Sequence, residues 1–139
     1  MENYDPAQVS LVVGGNIISG FSDGSMIKVS RDEATFSLKT GADGELARTR
    51  NHNRQGKVVV SLMQTSQSNL VLSSLHNIDE LTGVPAGSLR LADALGNTVL
   101  SGDNCFIEKL ADVGYSKDLE IREWTICVPK LDGVIGGAL

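Results

Sequence analysis

The sequence predicts a mainly β fold with one helix packed beside the sheet and one overlong polar hairpin. Short runs rich in β-branched residues recur along the chain with turn residues between them. The apolar period changes from two to about four over one stretch, Gly56 to Ile78. A polar stretch, Gly41 to Gln55, is about three times the usual hairpin length.

Gly56 to Gln64 carries Val58, Val59, Val60, Leu62 and Met63 behind a glycine turn, with no proline inside, and reads as a strand. Val58, Val60 and Leu62 point one way, Val59 and Met63 the other. A strand wanted on both faces lies deep in a domain or between two copies of it. Thr65 to Asn69 then offers hydroxyl N-caps, and Val71, Leu75 and Ile78 recur at helical spacing with Leu70 and Leu72 beside them. The spacing predicts a helix near 66–78 whose stripe lies on the preceding sheet. Strand and helix together are the expected core, with Val58, Val60, Leu62, Val71, Leu75 and, later in the chain, Trp124 as its wall.

The rest of the chain supplies strands. Ala7 to Val13 alternates and is followed by a Gly14-Gly15-Asn16 turn and a return at Ile17-Ile18, which makes an opening hairpin. Gly20 to Gly24 reads as a turn, and Met26 to Arg31 is extended, with Ile27 and Val29 on one face. Thr35 to Thr40 alternates cleanly, with Phe36 and Leu38 expected inward. In the polar stretch that follows, Arg48, Arg50, His52 and Arg54 fall at every second position, which in an extended arm puts all four on one side. Two readings of this stretch stand side by side, a solvated hairpin tip and an intermolecular arm.

Ser88 to Ala92, with Leu89 and Leu91 inward, pairs with Thr98 to Ser101 across a Gly96-Asn97 turn. Cys105 to Val113 suits a helix better than a strand, although Asn104 to Ile107 equally extends a strand. Leu119 to Val128 is the last long strand. Its inward set switches parity from Leu119 and Ile121 to Trp124, Ile126 and Val128, which predicts a bulge near Arg122 or Glu123, or a strand that crosses between two packed surfaces. Pro129 stops it. Leu131 to Leu139 is apolar and glycine-rich, expected to pair as an edge strand or to dock on a neighbour.

With 139 residues, 41% apolar and 21% charged, the chain has the length and composition of a single folded domain, 1–139. A net charge of −5 and 4% aromatics argue against stable binding of nucleic acid. The start of the chain lacks the basic and apolar regions of a signal peptide, and no run reaches membrane-spanning length, so a soluble protein made in a cytoplasm is expected. Cys105 and Cys127 lack paired spacing and read as reduced core residues.

Catalysis finds no support. His52 and His76 lie near no nucleophile elbow or H-E-x-x-H pair, three Asp-Gly turns lack the distal glutamate of a calcium loop, and Gly41 to Gly44 lacks a phosphate loop's ending. Glu120 and Glu123, with Arg122 between them, are the one candidate acid pair, set against the commoner reading of solvated charges on a strand. No enzyme, cofactor or metal is expected. Edge strands and unsatisfied apolar ends instead suit a subunit built to polymerise.

In order along the chain, Gln8 to Gly15, Ile18 to Gly24, Gly41 to Glu45 with its basic loop, and above all Leu62-Met63-Gln64-Thr65-Ser66-Gln67-Ser68-Asn69 resemble the tail tube proteins of contractile-tailed bacteriophages. The resemblance implies a β-sandwich or half-barrel with one flanking helix. It implies six copies closing into a ring through a continuous inner barrel, and rings stacked into a hollow tube of the virion assembled in the host cytoplasm. It further implies partners: sheath, tape measure, baseplate and tail terminator proteins, with DNA only in transit and no membrane. The 41–55 hairpin becomes the arm to the next ring, with Arg48, Arg50, His52 and Arg54 as its contacts. The tube of a tailocin or secretion system fits the same resemblance. A monomeric or dimeric binding or enzymatic domain using the 41–55 loop is the alternative.

Overall fold

The computed structural model describes residues 9–22, 26–93 and 97–136. In chain order the elements are Val9–Val13 (β1), Asn16–Ile18 (β2), Ile27–Arg31 (β3), Phe36–Thr40 (β4), Leu46–Arg50 (β5) and Gly56–Met63 (β6). Then come the helix Ser68–Thr82 (α1), Gly87–Asp93 (β7), Thr98–Ile107 (β8), Ile121–Val128 (β9) and Asp132–Val134 (β10). The chain is mainly β, as its alternating runs require. The expected turn at Asp23-Gly24, Gly96, the first residues of the opening strand and the last three of the tail lie outside the described residues.

Eight strands form one antiparallel sheet in the order β2-β1-β7-β8-β9-β6-β3, with β10 also on β8, while β4 and β5 form a separate ribbon. Strand β8 is the pivot. Its first half pairs with β7 and β10, and its last two residues, Phe106 and Ile107, pair with β9. Between the halves the register against β7 shifts, and Asn104 sits at φ 56°. Gly102 permits the close approach here: a Cβ on it would lie 2.3 Å from Val128 Cγ1 and 2.8 Å from the Lys130 carbonyl oxygen. The two wings therefore share one core, with Leu11, Val13 and Leu89 from one side and Val58, Val60 and Ile126 from the other.

The expected alternation of β6 is present. Val58, Val60 and Leu62 are buried inward, Val59 is half-buried and Met63 exposed on the other face. Helix α1 starts two residues later than the sequence suggests and runs four further. Leu72 is its deepest apolar residue, with buried Ser68 beside it, while Val71 and Leu75 pack at the edge of the core and Ile78 and Leu70 are exposed. The N-cap residue, Gln67, makes no side-chain cap; Ser66 Oγ accepts the Ser68 N–H at 3.2 Å instead. Gly83, at φ 74°, closes the helix by donating to the Asp79 carbonyl at 2.7 Å.

Three expectations are corrected. Cys105 to Ile107 is the end of β8, and Glu108 to Glu120 is irregular with no helix. Strand β9 has no bulge, since all eight of its pairs with β6 are in continuous register. Its inward set is Arg122, Trp124, Ile126 and Val128, so Arg122 is a core-facing residue and Ile121 and Leu119 are exposed. Phe36 and Leu38 are also exposed, because the ribbon that carries them leaves the body.

Candidate assembly surface

Among the described residues, the ribbon β4–β5 pairs with no other strand, and every residue of β4 is exposed. Its turn is tight: Gly41 N–H donates to the Glu45 carbonyl at 2.6 Å, Gly44 N–H to the Gly41 carbonyl at 3.1 Å, and Gly44 takes φ 87°. The loop expected over residues 41–55 is thus five residues at a hairpin tip followed by strand. Phe36 pairs with Arg50, Leu38 with Arg48 and Thr40 with Leu46, so these six side chains share one face. Phe36 is 50% exposed, Leu38 67% and Leu46 65%. The Arg48 guanidinium lies over the Phe36 ring, 4.5 Å from its centroid. The opposite face is polar and tied by a hydrogen bond between the Ser37 and Thr49 hydroxyls.

The four regularly spaced basic residues do not act as one row. Arg48 and Arg50 lie on β5, while His52 and Arg54 fall beyond it in the return to the body. Arg54 Nη1 pairs with Asp132 at 3.2 Å, and Arg31 reaches the same carboxylate at 3.3 Å and the Leu131 carbonyl at 2.6 Å. These contacts, with the Asp32 N–H on the Gln55 carbonyl and the Leu131 N–H on the Arg54 carbonyl, both at 2.9 Å, fasten the ribbon's root to the corner before β10. The ribbon is anchored at its base and open along its shaft. Asp132, the residue that gathers the two arginines, was not legible as a site because it reads as the first half of an Asp-Gly turn.

Other open surfaces accompany it. Among the described residues, strands β2 and β3 end the large sheet with no further strand on their outer edges. Val134 and Ile135 of the tail are exposed, although β10 pairs with β8 and Leu131 is buried.

Nothing in the described residues assembles a reaction centre. They hold no group of three or more His, Cys, Asp or Glu placed for a metal ion. Burial, with Asp103 adding to it, pushes the Cys105 thiol up to about 11, and burial beside Glu108 raises Cys127 as well. Both thiols are free, and a raised pKa makes them poor nucleophiles. His76 Nδ1 lies 3.8 Å from Glu80 on the surface of α1.

The segment most like a motif, Met63 to Asn69, is a junction. Asn69 Nδ2 donates to the Met63, Gln64 and Ser66 carbonyls, the first at 2.9 Å, and its Oδ1 accepts Trp124 Nε1 at 3.0 Å. Ser66 Oγ donates to the Ser19 carbonyl at 2.6 Å and Ser68 Oγ accepts the Ser19 N–H at 2.9 Å. Gln64 exchanges bonds with Glu120 at 3.0 and 3.1 Å.

Residues 8–136, nearly the whole chain, match the family of the bacteriophage PhiTE tail tube protein. The chain belongs to that tail tube family. A relative, structural protein ORF10 of Pseudomonas phage KPP10, is 31% identical over 142 residues, covering 96% of this chain and 82% of the relative. The fold of the tail tube subunit is shared with solved contractile-system structures. One is the sheath-tube complex of PVC, an extracellular contractile injection system, in its extended state (TM-score 0.64, 12% identity, 96% of this chain and 92% of that one). Others are the PVC sheath/tube terminator (TM-score 0.62, 14% identity, 96% and 98%) and the tube-terminating cap of the anti-feeding prophage (TM-score 0.62, 9% identity, 98% and 93%). Family and fold are those of structural tube proteins.

Proposed function

We propose that six copies of this tail tube subunit close into a ring by strand addition at the free edges of β2 and β3, and that the rings stack into the hollow tube of a phage tail. The ribbon β4–β5 then reaches a neighbouring ring, with Phe36, Leu38 and Leu46 supplying buried area and Arg48 and Arg50 meeting carboxylates there. His52 and Arg54 frame its root. The exposed apolar face of the ribbon carries this reading, because a two-stranded ribbon is marginal in water and a second copy is the natural cover for it. The assembled tube serves as a conduit for DNA; a net charge of −5 per subunit disfavours retention of phosphate along the way. Sheath and terminator proteins would meet the tube outside and at its end, and tape measure and baseplate proteins inside and below it. The relative from a phage favours a phage tail over the tube of an injection system.

The test is to change Arg48 and Arg50 to Glu together. The variant is expected to fold with the wild-type thermal midpoint and to stay as rings or smaller species under negative-stain microscopy. Tubes of wild-type length would remove the ribbon from the stacking contact.

A further inference from the structure

Arg122 is the least expected side chain in the fold. It sits on the inward parity of β9 opposite Leu62 and is 7% exposed. Among the described residues its guanidinium makes no hydrogen bond and no ion pair, and Nη1 is fully enclosed without a partner. Its one polar contact is with the face of Tyr115, whose centroid lies 5.5 Å away. A guanidinium keeps its charge at any working pH, so it cannot escape burial by losing a proton as a lysine would. An enclosed charge without a counter-charge is strongly unfavourable, and removing it in favour of an apolar side chain stabilises many folds.

The neighbours in sequence do not supply the missing anion. Glu123 points to the opposite face, and Glu120, two residues before, directs its carboxylate past Gly114, where a Cβ would lie 3.4 Å from Oε2. Among the described residues the other enclosed side-chain polar atom without a partner, Ser22 Oγ, lies at the same end of the sheet, one residue past the Phe21 that bridges to Leu62. The segment over this end, residues 108–120, is irregular and presents Leu110, Val113, Tyr115 and Leu119 to solvent, Tyr115 with 80% of its surface exposed. An apolar cover that stands in water over an unpaired buried cation is a seat left open for a partner.

We infer that the 108–120 segment with Arg122 beneath it receives a second copy of this chain, which inserts a carboxylate against the Arg122 guanidinium. The chain carries 17 acidic residues against 12 basic ones, so its copies bring the complementary charge. A paired and bonded guanidinium buried at a subunit interface is a strong, oriented contact. The inference rests on the proposed self-assembly and adds to it a contact distinct from the ribbon.

Arg122→Met separates it from a structural role for the arginine. In dilute subunit, before assembly, the variant is expected to melt about 5 °C higher than wild type, because the unpaired charge is gone. The concentration needed for assembly, followed by light scattering, is expected to rise at least about tenfold. Arg122→Lys keeps the charge without the fork and is expected to fall between the two on assembly. A Met variant that melts lower, fails to fold, or assembles at the wild-type concentration overturns the inference. Should wild-type protein itself not assemble, the tube reading fails instead, and the two failures are told apart by that control.

Discussion

The junction at Met63–Asn69 and the ribbon at Phe36–Arg50 are opposite in design. In the junction the amide of Asn69 touches three carbonyls and the indole of Trp124, and Ser66 and Ser68 clasp the backbone of Ser19 from two sides. Its polar groups are spent inside the subunit, fixing the helix to the sheet. In the ribbon, Phe36, Leu38 and Leu46 stand in solvent, and the cations beside them find only an aromatic ring. The lesson is that one region is closed upon its own fold, while the other presents its apolar face and its cations to solvent.

The contrast breaks most visibly in the ribbon. Changing Phe36, Leu38 and Leu46 to Ser together is expected to abolish tubes while moving subunit stability by no more than about 0.5 kcal/mol per site, since exposed positions carry little of it; electron microscopy and a thermal melt on one preparation measure both. On the junction side, Trp124→Ala is expected to cost about 3–5 kcal/mol, because it empties a buried site and orphans the amide of Asn69. Urea unfolding reads that directly, and a loss below about 1 kcal/mol would show the junction to be dispensable. Asn69→Ala is smaller, about 1–3 kcal/mol, as the indole N–H and the helix-start carbonyls lose a partner without a cavity opening.

The smallest effect is on pH. The Cys105 thiol is raised from 9.0 to about 11 in the folded state, so the unfolded chain ionises first as pH rises. The folded state therefore keeps its full stability below about pH 9 and loses it progressively between 9 and 11, by on the order of 1 kcal/mol at pH 10. Cys105→Ala, though less stable below pH 9, is expected to show a shallower slope, retaining only the share of the raised Cys127 thiol; an equal slope in both proteins would assign it to other groups.

Much of the fold was legible because burial follows a simple period in β6, β7 and the later part of β9. It failed where a single residue broke the pattern. Gly102 and Asn104 hide the continuity of β8, so Phe106, Ile107, Leu110 and Val113 mimic helical spacing although Cys105 and Ile107 alternate as a strand. Apolar Leu119 and Ile121 suggest an inward parity that Trp124, Ile126 and Val128 do not share, whereas β9 runs in continuous register, exposes both and buries the charged Arg122. Phe36 and Leu38 alternate like any inward pair; alternation tells which residues share a face and nothing about what lies opposite it. For the ribbon, basic spacing pointed to the right segment, yet only the pairing of β4 with β5 joins Arg48 and Arg50 to an apolar face, and only the fold ties Arg54 to Asp132.

Negative-stain images of purified full-length protein, raised stepwise in concentration, test the central claim that this subunit is completed by copies of itself. Hollow rings that stack end to end as concentration rises are the predicted result. Compact monomers at every concentration, with the ribbon face as accessible to surface labelling as in dilute solution, would contradict it.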